Sequence, residues 1–209
     1  MAEKPFAHES EEVFARYLDR VGLSYEREVS VDPGNVDFLV RVGASEVFCD
    51  VKAVEAVPEM NGLVDAQYAI RNDLKVLKRK FLKDPTRPCV LVTMNYSPQL
   101  ITGYTIRIAM LGDVGVNFSF FDDRVESSPL GHLPRGNAVL RRNHYTSLSG
   151  ILMIDCRFGE HTYFANPYAA FPLPAGFFPE VNEIKVQWVD GEEQFINESN
   201  LMFFPRRQC

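Results

Sequence analysis

Between Val36 and Lys52, two runs dense in Val, Leu and Phe are joined by Gly43-Ala44-Ser45, and each run carries one acid, Asp37 in the first and Asp50 in the second. Runs of β-branched and aromatic residues flanking a short turn read as adjacent strands of a buried hairpin. Strand side chains alternate between faces, so Asp50 and Lys52 share one face while Cys49, Val51 and Ala53 share the other. With Gly43 paired to Glu46, Asp37 falls opposite Lys52 and Asp50 lies one diagonal step away. Three polar groups then converge inside an apolar setting, the pattern of a small metal site, and a one-residue slip would separate them. Two carboxylates so placed repel one another in the absence of a cation, so removing one acid is expected to stabilise the ion-free protein.

The chain has 209 residues, 46% of them hydrophobic, enough for one substantial core. A single domain over 1–209 is expected, with its core at about 8–96 and a β-rich elaboration at about 97–209. A net charge of -6 argues against a generally basic nucleic-acid coat and leaves room for a local basic groove. Cys49, Cys89, Cys156 and Cys209 lack paired metal-ligand spacing and read as reduced thiols. No apolar run reaches the roughly 18 residues of a membrane span, and MAEKPFAHESEE lacks a signal-peptide core. These features predict a cytoplasmic chain with no membrane partner.

Along the chain, Val13, Phe14, Tyr17, Leu18 and Val21 form one apolar stripe that predicts a helix over 10–21, stopped by Gly22. Glu11 falls at the edge of that stripe, whereas Glu12 points away from it. A strand over 23–31 and the turn Asp32-Pro33-Gly34 lead into the hairpin. A second helix is predicted over 63–82 from the seam Leu63, Ala66, Ile70, Leu74, Leu77 and Phe81. Gln67 and Arg71 flank this seam, and Lys75, Lys78, Arg79 and Lys80 make its later turns basic. CVLVTM at 89–94 reads as a buried strand. Further strands are predicted over 104–111, 116–121, 150–156, 163–165, 184–189 and 193–196. A polar loop over 122–145 carries Arg124, Arg135, Arg141, Arg142 and His144.

The order helix, three strands, helix, strand, with Glu11, Asp37, Asp50 and Lys52 in sequence, resembles the PD-(D/E)XK nuclease superfamily. Helix 1 carries the recurrent pattern as Glu11, Phe14, Tyr17-Leu18 and Gly22; the second motif is Asp37 in NVDFLV and the third Asp50-Val51-Lys52 in FCDVKA. Val36 stands where the family's name places proline. The match covers roughly the first hundred residues. It implies an α/β fold of the restriction-endonuclease-like type, an αβββαβ core with a mixed central sheet flanked by helices, followed by the β-rich elaboration. It also implies catalytic roles for Glu11, Asp37, Asp50 and Lys52, with Gln67 and Arg71 directed toward the site.

Phosphodiester hydrolysis needs a cation to neutralise developing charge. Hard oxygen ligands at Asp37 and Asp50, with the Val51 carbonyl and Glu11 beside them, favour Mg²⁺, with Mn²⁺ as a substitute, over zinc. Lys52 would orient or deprotonate the attacking water. Gln67, Arg71, Lys75, Lys78 and Arg79 are the candidate substrate contacts. The expected partner is nucleic acid, DNA ahead of RNA, and the oligomeric state is left open, a homodimer included. His8, His132, His144 and His161 show no ligand spacing, and no nucleophile elbow or glycine-rich phosphate loop is present. The rival reading is a catalytically inactive nuclease-fold module that binds nucleic acid or a partner protein.

Overall fold

The first apolar stripe does form a helix, α1 (Ala7–Val21), followed by three strands, β1 (Ser24–Val31), β2 (Gly34–Val42) and β3 (Ser45–Val54). Helix α2 (Ala66–Phe81) and strand β4 (Cys89–Asn95) complete the expected order. The computed structural model describes residues 7–31, 34–54, 66–81, 87–96, 101, 103–112, 114–115, 118–121, 124–127, 131–132, 139–140, 145–156, 159–189 and 192–197. The second half comprises α3 (Gly103–Leu111), β5 (Val114–Gly115), β6 (Phe118–Phe120), β7 (Val125–Ser127), β8 (Gly131–His132), β9 (Leu148–Asp155), β10 (Glu160–Ala165), β11 (Asn182–Val189) and β12 (Glu192–Asn197). One mixed sheet runs in the order β1-β2-β3-β4-β9-β10-β11-β12. Strands β3, β4 and β9 at its centre are mutually parallel, and β1, β2 and β3 form an antiparallel meander.

The strand predicted over 104–111 is instead α3. The alternation Thr105, Ile106, Arg107, Ile108 has a strand's period, but a short run buried nearly all round cannot be assigned by periodicity alone. Here Ile106, Ala109 and Met110, at helical spacing, enter the core. The expected loop over 122–145 contains β7 and β8 in its described part, while Arg135, Arg141, Arg142 and His144 lie outside the described residues. Among those residues no helix is long and apolar enough to cross a membrane.

Two apolar layers cover the sheet. On one side Phe14, Tyr17 and Leu18 of α1 pack on Phe38, Val40, Val47, Cys49, Val51, Val90 and Val92. On the other, Ile70, Leu74 and Leu77 of α2 and Ile106 and Met110 of α3 pack on Val36, Val54, Leu91, Ile151 and Met153. Cys49 and Cys89 are free and buried, and Cys156 is free and half-buried.

The hairpin β1–β2 changes sides along its length. Strict alternation would put Val36, Phe38 and Val40 on one face, yet Val36 packs with α2 while Phe38 and Val40 pack with α1. Strand β1 does the same, Tyr25 lying on the α1 side and Val29 and Val31 on the α2 side. Register is kept at Arg27↔Phe38 and Val29↔Val36, and the pair between them, Glu28 and Asp37, drops out of the ladder. Glu28 there has φ 51°, a left-handed backbone that side chains with a Cβ resist. Asp37 thus sits where the hairpin turns over, which frees its side chain from the regular alternation.

Because a left-handed residue costs about 1–2 kcal/mol when it carries a Cβ, Glu28→Gly is expected to keep or slightly raise stability. Glu28→Val should lower it by about 1–2 kcal/mol, since β-branching tolerates this region worst. Urea unfolding of the two variants checks this, and a valine variant as stable as wild type would mean the turnover does not depend on that backbone.

Candidate metal centre

The site forms where the β2–β3 ladder ends. That ladder runs from Val42↔Ser45 to Phe38↔Cys49, closing on a two-residue turn with Gly43 at φ 58°. Asp37 therefore comes abreast of Asp50 rather than Lys52, two residues from the expected register. A two-residue shift preserves the faces of a strand, so the convergence survives the correction. Beyond the last pair, the Val51 N–H donates to Asp37 Oδ2 at 2.6 Å, a side-chain oxygen taking over where the strand ladder stops.

Lys52 draws these groups together. Its Nζ lies 2.6 Å from Asp50 Oδ2 and 3.5 Å from Asp37 Oδ2, and donates to the Val51 carbonyl at 2.8 Å. Asp50 is fully buried, while the side chains of Lys52 and Asp37 retain 26% and 20% exposure. Burial by itself would lower the Lys52 pKa, but the charges of Asp50 and Asp37 outweigh it and hold the ammonium above its ordinary value. Lys52 is therefore firmly cationic in the ion-free site. The carboxylates are neutralised by this ammonium, which reverses the expectation that removing an acid would stabilise the ion-free protein.

Glu11 reaches the same neighbourhood from α1. Burial raises its pKa and the charge of Asp37 adds to the effect, against opposing contributions from Arg27 and Lys52. Arg27 lies 3.7 Å from Glu11 and 2.6 Å from Glu12, so Glu12 takes the closer ion pair on the outer side of the helix.

On α2 the predicted contacts divide. Arg71 is buried, and its Nη2 donates to the Ile108 carbonyl in the last turn of α3 at 3.2 Å. That bond places Arg71 in the packing of α2 on α3, on a carbonyl that also accepts the Gly112 N–H, rather than on an open binding face. Gln67 is half-buried and Lys75 exposed. Lys78 and Arg79 lie on the same helix, with their side chains outside the described residues.

Four polar residues escaped the sequence reading. Thr93 pairs with Lys52 across the parallel β3–β4 ladder, and Asn95 pairs with Val54 on one side and Asp155 on the other. Both Thr93 and Asn95 are fully buried, and Asn95 Nδ2 donates to Asp155 Oδ2 at 3.1 Å. Asp73 on α2 is near enough for its charge to help raise Lys52. The signal was present in CVLVTMN, where Thr93 and Asn95 stand two apart and so on one face.

Among the described residues, no group of three or more His, Cys, Asp and Glu side chains is arranged to hold a metal. The donors on hand are two carboxylates and the Val51 carbonyl. All are hard oxygens and they already surround one cationic atom, so their chemistry fits Mg²⁺ or Mn²⁺.

No family model matches the chain, and no curated protein does. Among solved structures the chain is similar to SfsA of Pyrococcus furiosus in complex with Ca²⁺, at 11% identity and a TM-score of 0.30. The alignment covers 91% of this chain, which spans 62% of the SfsA chain, a likeness too slight to bear on fold or function.

Removing Lys52 leaves the buried Asp50 without its ammonium, so Lys52→Met should destabilise the ion-free protein by about 2–3 kcal/mol, less than for a wholly buried pair because Lys52 is partly exposed. Asp50→Asn combined with Lys52→Met should cost less than the sum of the two single changes. The raised Lys52 value sets the pH window: its contribution is complete below the unfolded lysine value and is lost as pH rises through the folded one, above 10.5. Chemical denaturation in EDTA from pH 7 to 11 measures both effects. Additive single and double variants would contradict the pairing.

Proposed function

We propose that the chain is a Mg²⁺-dependent nuclease, with Mn²⁺ as a substitute ion, hydrolysing phosphodiester bonds in nucleic acid, DNA ahead of RNA. The observation that carries this reading is the convergence of Asp37, Asp50 and the Val51 carbonyl on one cationic atom at the end of the β2–β3 ladder. It is joined by the αβββαβ order that the resemblance to PD-(D/E)XK nucleases implies.

In this reading Asp37, Asp50 and the Val51 carbonyl hold the ion. A divalent cation bound there neutralises charge developing on the phosphoryl oxygens and raises the reactivity of water at neutral pH. Asp37 is fixed by the Val51 N–H and Asp50 by burial, so both present their oxygens without reorganising. Lys52 orients the attacking water through its ammonium. Glu11, at the rim, accepts a hydrogen bond from that water or contributes to a second ion. Gln67, Lys75, Lys78 and Arg79 on α2 supply the face that meets backbone phosphates. Arg71 serves this face indirectly, by holding α3 against α2.

A second reading, a nuclease-fold module that binds nucleic acid or a partner protein without cutting it, is favoured by one observation. No third side-chain ligand joins Asp37 and Asp50 among the described residues.

Incubation with single- and double-stranded DNA and RNA, in Mg²⁺ and in EDTA, separates the two. The nuclease reading expects ion-dependent cleavage that falls by about 10²–10⁴-fold in Asp50→Ala and Lys52→Ala, because both groups act chiefly on the transition state. Affinity for uncut substrate should change far less. Charge reversal of Lys78, Arg79 and Lys80 should instead weaken binding and flatten its salt dependence. A wild type that binds nucleic acid but cleaves none of the panel would establish the binding module.

A further inference from the structure

We propose that Thr93 is a positioning residue for Lys52: when a divalent ion takes its place among Asp37, Asp50 and the Val51 carbonyl, the lysine ammonium moves to the Thr93 hydroxyl and donates a hydrogen bond to it. This rests on the reading of Asp37 and Asp50 as ion ligands.

The first ground is occupancy. Lys52 Nζ stands among the three oxygens the ion would use, at 2.6, 2.8 and 3.5 Å. Two cations cannot share that position, since their repulsion is strong wherever water is excluded. Ion uptake therefore requires the ammonium to leave.

The second ground is where it can go. Strand β3 lies between β2 and β4, so Asp37 is on one flank of Lys52 and Thr93 on the other. Thr93 is the direct partner of Lys52 in the parallel ladder, and residues paired across a sheet project from the same face. Neighbouring Cβ atoms across a ladder are about 5 Å apart, well within the swing of a four-carbon stem.

The third ground is the hydroxyl itself. Thr93 is 0% exposed, and its Oγ1 has no hydrogen-bond partner among the described residues. Leu91 and Met153, buried beside it on the same side of the sheet, are apolar. Valine would fill the same volume without an unmet polar atom, so a threonine here is costly in the ion-free state and useful in another. A displaced ammonium supplies the missing donor, and the hydrogen bond then holds Nζ beside the ion, where it can orient water.

The test is Mn²⁺ binding, followed by electron paramagnetic resonance in the absence of substrate. It uses wild type, Thr93→Val, Thr93→Ser, Lys52→Met and the double variant Lys52→Met/Thr93→Val. Thr93→Val should bind Mn²⁺ about three- to tenfold more weakly, the worth of one hydrogen bond lost from the loaded state only, and Thr93→Ser should restore affinity. The ion-free melting temperature of Thr93→Val should equal or exceed that of wild type, which a purely structural role would not give. Lys52→Met should bind Mn²⁺ more tightly than wild type, having lost the competing cation, and adding Thr93→Val to it should change nothing. Equal Mn²⁺ affinity in wild type and Thr93→Val overturns the inference alone, as does an equal loss from Thr93→Val with and without Lys52. Should Lys52→Met fail to fold, the valine and serine variants decide by themselves. If neither wild type nor Lys52→Met binds Mn²⁺, the metal centre fails and the inference falls with it.

Discussion

The ammonium of Lys52 is what allows two carboxylates and a strand carbonyl to face one another inside this sheet. Asp50 is wholly buried, and an isolated charge in that position would be neutralised or would drive local opening. Lys52 solves this from two residues along the same strand, with Asp37 sharing the charge from the neighbouring strand. The ion-free site is thus already organised around a cation. In the proposed reading the same oxygens take a divalent ion, with the lysine as its competitor for that position.

This geometry depends on an irregularity in the sheet rather than on its regular part. In an unbroken hairpin Asp37 would keep strict alternation with Val36 and Phe38. The dropped pair at Glu28 and Asp37 turns the hairpin over, sends Val36 to the α2 layer and Phe38 to the α1 layer, and leaves the Asp37 side chain to cap the Val51 N–H. Helices α1 and α2 then clamp the two sides. Glu11 approaches from one and Asp73 from the other, so the charge balance at Lys52 is set by both layers. Strain at Glu28 is consistent with the habit of functional sites to hold backbone that a purely structural strand would avoid.

Much of this was legible in the sequence. The apolar seams of α1 and α2 gave their helices, and the β-branched runs around Gly43 gave the hairpin, because periodicity reports which face is buried. Asp50 and Lys52 on one face followed from alternation alone. The register did not: pairing Gly43 with Glu46 put the two-residue turn at Ala44-Ser45, one position late, whereas the positive φ of Gly43 places it at Gly43-Ala44. The α3 helix was misread because Thr105, Ile106, Arg107 and Ile108 alternate with a strand's period in a run too short to show a helical one. Arg71 was read as a substrate contact directed toward the site because its position beside the seam of α2 says nothing of α3, a neighbour distant in sequence. Thr93 and Asp155 were passed over as members of buried strands and Asn95 as the residue just past one, though a polar residue in such a run is the informative one.

The central claim is that the three oxygens now gathered around Lys52 Nζ are a divalent-ion site. Anomalous diffraction from crystals soaked in Mn²⁺ tests it most directly. The account predicts a peak bonded to Asp37, Asp50 and the Val51 carbonyl, with the lysine nitrogen moved off that point toward β4. A well-ordered crystal at high Mn²⁺ that shows no peak there, with Lys52 Nζ still between the two aspartates, would contradict it.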